Sequence, residues 1–136
     1  WEPVKLGAGG YVTGLIVHPT VTTTKYIRTD VGGAYRWDGS TGMWIPLTDK
    51  LIQDDPACGQ IESIAISERN ANEVYVATGD TVYKSADRGG TWTKTAASAI
   101  TRGNDPWRSA GERLAVVPRN GNVLYFGTRR NGLLRS

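Results

Sequence analysis

The eight residues Ser85-Ala86-Asp87-Arg88-Gly89-Gly90-Thr91-Trp92 describe a turn that can close on itself. The Asp87 carboxylate has the Ser85 hydroxyl before it, the Thr91 hydroxyl after it, and the turn's own backbone N–H groups within reach. Gly89 tolerates a positive φ. Trp92 follows with a large ring to bury between sheets. Outward from the turn, apolar runs near 81–85 and 91–94 flank it, and two more near 61–67 and 73–78 precede them. Four short strands separated by turn residues make one antiparallel unit.

That unit recurs. Tyr26, Tyr75 and Tyr125 are spaced by 49 and 50 residues, Leu15, Ile64 and Leu114 keep the same step, and Trp44 precedes Trp92 by 48. A period of about 40–50 residues built from short strands is the signature of β-propeller blades. The predicted fold is therefore all-β, with four-stranded antiparallel blades. Blade one covers about 11–49, blade two about 61–98 and blade three about 112–136, with 50–60 and 95–111 as connecting loops. The pattern S-x-D-x-G-x-T-W at Ser85–Trp92 is the Asp box, a blade-edge folding element, and Trp37 to Trp44 is a degenerate copy with the same span. Trp37, Trp44 and Trp92 are expected in the inter-sheet core. Ser136 matches Ser85, so the third copy breaks off partway, giving about two and a half blades. Such a set leaves sheet faces and edges uncovered. The expected partners are the remainder of the propeller polypeptide or other copies of the chain.

Composition narrows the class. Hydrophobic residues at 39% and charged residues at 21% suit a folded chain rather than a disordered one. A net charge of +3 with no basic run argues against a nucleic-acid partner. No apolar run approaches the ~20 residues that span a membrane, so no membrane partner is expected. One Cys and one His exclude an internal disulfide and argue against a zinc site, so no metal or other cofactor is expected. His18, before Pro19, reads as a turn residue. Trp1 is not an initiator Met, which points to a processed or truncated beginning.

Arg28-Thr29-Asp30-Val31-Gly32-Gly33-Ala34-Tyr35-Arg36-Trp37 stands apart from the repeat. Its counterpart in blade two, Thr78-Gly79-Asp80-Thr81, is shorter and lacks the double glycine. Asp30 follows an apolar strand and precedes a sharp turn. That position suits a carboxylate at the mouth of a sheet, and equally an Asp that bonds its own turn. Tyr11 and Trp107 lie in a glycine-rich opening and a long polar loop; each reads as a sugar-stacking surface or as packing.

Gly7-Ala8-Gly9-Gly10-Tyr11-Val12-Thr13-Gly14, His18-Pro19, Arg28–Trp37, the Ser85–Trp92 box and Gly111-Glu112-Arg113-Leu114-Ala115-Val116 together resemble the start of family-74 glycoside hydrolases, the xyloglucanases. The resemblance runs over nearly the whole chain. It implies two seven-bladed propellers facing across a glucan-binding cleft, with this chain at the beginning of the first. It further implies a secreted, inverting endo-β-1,4-glucanase acting on the polysaccharide xyloglucan or a related plant β-glucan. Asp30 would be its general base, and the general acid would lie outside this chain, which alone would be inactive. Two departures stand out: Glu62 replaces the family's Asp before blade two, and an insertion common after Tyr75–Gly79 is missing. The alternative is a non-catalytic Asp-box propeller that binds protein or glycan.

Overall fold

The computed structural model describes residues 1–2, 6–7, 10–79, 81–98 and 111–136. They form three antiparallel sheets of propeller-blade type. The first is β1 (Val12–Val17), β2 (Lys25–Thr29), β3 (Ala34–Asp38) and β4 (Met43–Pro46), in that spatial order. The second is β5 (Ser63–Ile66), β6 (Val74–Ala77), β7 (Thr81–Ser85) and β8 (Thr93–Ser98), again in order. The third holds β9 (Leu114–Val117), β10 (Asn120–Gly127) and β11 (Leu133–Arg135), with β10 central.

Strand alternation explains how the sheets stack. Successive side chains point to opposite faces. In β6, Val74 and Val76 pack toward Tyr26, Ala34 and Leu47 of the first sheet, while Tyr75 and Ala77 pack toward Leu114 and Phe126 of the third. Both faces of β6 are therefore covered and all four of its residues are buried. Blade-to-blade hydrogen bonds repeat the same step along the chain. His18 Nε2 meets the Ser67 carbonyl at 3.1 Å, Arg69 Nη1 donates to Arg119 O at 2.9 Å, and Trp92 Nε1 donates to Leu47 O at 2.9 Å. His18 Nδ1 accepts the Thr20 and Val21 amides, so its ring proton sits on Nε2. The outward faces of the set lack such cover: Leu15 in the first sheet is 61% exposed and Tyr125 in the third is 38% exposed, while their counterparts in the second sheet, Ile64 and Tyr75, are buried.

Three expectations need correction. Residues 95–98 are not connecting loop: they continue β8 (Thr93–Ser98), which pairs with β7 as far as Ser98. Residues 50–60 are not plain loop: α1 (Asp49–Asp54) and a 3-10 turn (Pro56–Gly59) occupy the segment. Six residues are too few for a 3.6-residue period to show in sequence. The helix is held by tertiary packing, with Leu51 and Ile52 against the core between the first two sheets. Trp92 lies in that core, but Trp37 and Trp44 do not. They pair edge to face, 5.4 Å apart, on the other side of the first sheet beside Tyr35 and Leu6.

The Ser85–Trp92 turn closes on Asp87. One carboxylate oxygen accepts from Ser85 Oγ (2.7 Å) and Thr91 N (2.8 Å), the other from Thr91 Oγ1 (2.8 Å). Gly89 has φ +89°, and a Cβ there would press on the Leu47 side chain. Trp92 thus enters the gap between sheets through a turn that leaves no room for a larger residue at 89.

Candidate active site

β2 ends at Thr29, and the chain turns through Asp30, Val31, Gly32 and Gly33 into β3. The turn is built by Thr29 and Gly33. Thr29 N donates to Gly33 O at 2.9 Å, and Thr29 Oγ1 both donates to that carbonyl (3.2 Å) and accepts from Gly32 N (2.8 Å). Gly33 sits at φ +87°, where a side chain would be strained, and a Cβ there would also collide with Thr48 Oγ1. Tyr35 Oη donates to Gly32 O at 2.6 Å, and Gly33 N donates to Gly59 O at 3.1 Å. The turn is therefore anchored to its own sheet and to the approach to the second.

Asp30 takes no part in those bonds. Its Oδ1 accepts from the backbone N–H of Tyr11 at 2.8 Å, and its own N–H donates to Tyr11 O at 3.1 Å. The residue before β1 and the residue after β2 are clamped to each other, extending the β1–β2 ladder by one rung. Gly10, at φ +118°, passes so close that a Cβ would lie 3.3 Å from Asp30 Oδ1 and 3.0 Å from Thr29 Cβ. The clamp leaves the Tyr11 side chain 66% exposed and Val31 exposed beside it. A half-buried carboxylate flanked by an open aromatic ring is a geometry that can hold a polar, ring-bearing substrate near an acid–base group.

The same turn recurs in the third sheet. Thr128 N donates to Gly132 O at 2.9 Å, Thr128 Oγ1 donates to it at 2.8 Å and accepts from Asn131 N at 2.9 Å, and Gly132 has φ +66°. Arg129 stands where the first sheet has Asp30. The turn closes equally well with either side chain, so the need to bond its own turn does not account for Asp30.

No protein-family model matches the chain. It aligns over its full length, at 43% identity, with the xyloglucanase Xgh74A of Acetivibrio thermocellus. Two solved structures superpose on it: the GH74 enzyme of Niastella koreensis, with a TM-score of 0.87 and 40% identity over 98% of the chain, and the GH74 xyloglucanase of Xanthomonas campestris, with a TM-score of 0.85 and 40% identity over 100% of it. The chain belongs to glycoside hydrolase family 74. It spans 18% of the length of the Acetivibrio relative and 21% and 20% of the two solved family-74 chains.

Within this family-74 segment, Asp30 and Tyr11 come together, while Trp107 lies outside the described residues. Among the described residues no group of His, Cys, Asp and Glu is placed to hold a metal ion, and no helix is long and apolar enough to cross a membrane. Periodicity gave no sign of an ionic cluster near the site. Arg28 and Glu62 are fully buried, Arg28 bonded to Glu112 and Glu62 to Arg113. Burial pushes the Glu62 carboxyl up, against the pull of the Arg113 and Arg28 charges. Its Oε2 accepts from Arg113 Nη1 at 3.1 Å, and its Oε1 has no hydrogen-bond partner among the described residues.

Proposed function

We propose that this chain is the N-terminal part of the first propeller of a secreted, inverting endo-β-1,4-glucanase that acts on xyloglucan or a related plant β-glucan. The observation that carries the proposal is the pair of matching turns: Thr and Gly close both, and Asp30 is present in one for a reason other than closure. The full-length similarity to proteins named as xyloglucanases supplies the substrate class. A polymer of that size does not cross membranes, which supports action outside the cell.

In this reading Asp30 removes a proton from a water molecule as the water attacks the anomeric carbon. A second carboxyl group, on the remainder of the polypeptide, protonates the departing glycosidic oxygen. The two stand roughly 6.5–9.5 Å apart in inverting enzymes, leaving space for the water. The Tyr11 amide fixes one lobe of the base, and the exposed Tyr11 ring offers a flat apolar surface to a sugar. Trp107 is proposed as a second stacking surface. The segment alone holds only half of the acid–base pair and is expected to be inactive.

Asp30→Ala in the full-length polypeptide tests the assignment. Loss of a general base is expected to lower kcat on xyloglucan by about 10²–10⁴-fold. The melting temperature should stay within a few degrees, because Thr29 still closes the turn. Turnover equal to the parent would sink the assignment of Asp30 as the base, whereas no turnover of xyloglucan by the parent itself would favour the non-catalytic glycan- or protein-binding propeller.

A further inference from the structure

Arg28 is 1% exposed, lies two residues before Asp30, and carries a planar guanidinium. Its side chain runs over Gly14, its cross-strand neighbour on β1. A Cβ on Gly14 would collide with the Glu112 carboxylate and press on Arg28 Nε, so the missing side chain opens the path. Beyond it, Nε donates to Glu112 Oε1 at 2.7 Å, Nη1 to Thr13 Oγ1 at 2.8 Å and to Ile61 O at 3.3 Å, and Nη2 to Gly111 O at 3.2 Å. Glu112 is engaged on both oxygens. Its Oε2 accepts from Ser63 Oγ at 2.6 Å and from Ile64 N at 2.7 Å. One guanidinium thereby joins the start of β1 and the end of β2 to the segments that lead into β5 and β9, across 84 residues of sequence.

Burying a guanidinium is a poor route to stability, because its desolvation offsets much of the attraction to Glu112, whose side chain is 26% exposed. What a planar, five-donor fork supplies is fixed geometry. The strand ends it fixes are those that carry Tyr11 and Asp30. We propose that Arg28 and Glu112 are positioning residues for Asp30. They hold the β1–β2 end in register with the second and third sheets, so that the base stands at its working distance from the substrate and from a carboxyl group on the rest of the polypeptide. The proposal rests on Asp30 being the general base. It gains force from how steeply such chemistry depends on placement: a misplacement of about 1 Å costs on the order of 10²-fold in rate.

The test uses the full-length polypeptide with xyloglucan as substrate, well below the melting temperature. Glu112→Gln keeps the shape and removes the charge. It is expected to lower kcat about 10- to 100-fold with KM within about threefold of the parent. A folded Glu112→Gln protein with parental kcat, or with a change confined to KM, overturns the proposal. If Glu112→Gln does not fold, Thr13 decides. Thr13→Val removes the acceptor for Arg28 Nη1 and should lower kcat several-fold, and Thr13→Ser, which keeps the hydroxyl, should restore it. Equal kcat in the two Thr13 variants overturns the proposal. Parental turnover in Asp30→Ala would instead overturn the assignment of Asp30 as the base, on which the proposal rests.

Discussion

The Thr29–Gly33 and Thr128–Gly132 turns share their first and last residues and their closing bonds, and differ at the three positions between. Both close with an N–H···O bond across four residues, both use the threonine hydroxyl twice, and both end on a glycine at positive φ. Between them the second position changes from Asp30 to Arg129, a reversal of charge at constant geometry. The turn is therefore specified by its first and last residues. Asp87 is the opposite case. Its carboxylate bonds to Ser85 and Thr91, both within four residues, and the turn closes on it. Asp30 bonds instead to Tyr11, 19 residues away, and joins two strands rather than two ends of a loop. Two aspartates in glycine-bearing turns thus do different work.

The comparison can be broken most readily at Thr29. Thr29→Val leaves the buried side of its turn without an acceptor for Gly32 N and is expected to destabilise by about 1–3 kcal/mol. Thr128→Val, in an exposed turn, should change stability by less than about 1 kcal/mol. Equal losses from chemical denaturation of the two variants would mean that burial does not set the cost of removing the shared threonine hydroxyl.

Acid titration sharpens the contrast with Asp87. Hydrogen bonds from the Ser85 hydroxyl, the Thr91 amide and the Thr91 hydroxyl hold its carboxyl at about 2, below the ordinary 3.8. A depressed folded-state value favours the ionised form. Its contribution is thus present above pH 3.8 and lost as pH falls toward 2. Asp87→Asn should lower the melting temperature at pH 6 with activity retained. The parent and variant melting curves should then converge as the pH is lowered through that window. Curves that stay parallel would refute the assignment. The smallest effect is expected at Arg129. If the second turn position is structurally neutral, Arg129→Ala changes stability by no more than about 0.5 kcal/mol, and a larger loss on denaturation would show that the side chain matters to the turn.

Most of the fold was legible because a strand repeat writes itself into sequence twice, once as alternation and once as spacing. Tyr26 and Tyr75 share a step of 49 residues, and each is buried beneath the sheet that follows it. The helix at Asp49–Asp54 was not legible, since its six residues are too short for a period and owe their place to Leu51 and Ile52 packing. Trp37 and Trp44 misled for another reason: an aromatic at a repeat position shows that it is buried, not which face buries it. At the site, Asp30 and its glycines could be picked out, but their supports could not. Arg28 and Glu112 meet over Gly14 through side chains 84 residues apart, a separation outside the repeat and invisible to any local pattern. Glu62 stood out as a departure from the family's Asp, but nothing in the sequence marked it as a buried acid held by Arg113.

The reach from Arg28 to Glu112 also sets an order in time. Most blade contacts point back one repeat, so each sheet can dock as soon as it has been synthesised. Arg28 is the exception. At roughly 5–20 residues per second of synthesis, its carboxylate partner, 84 residues downstream, is made on the order of 4–17 seconds after it. Until then the innermost guanidinium of the first blade has no Glu112 to neutralise it. The earliest of these three blades is thus completed only when the third begins.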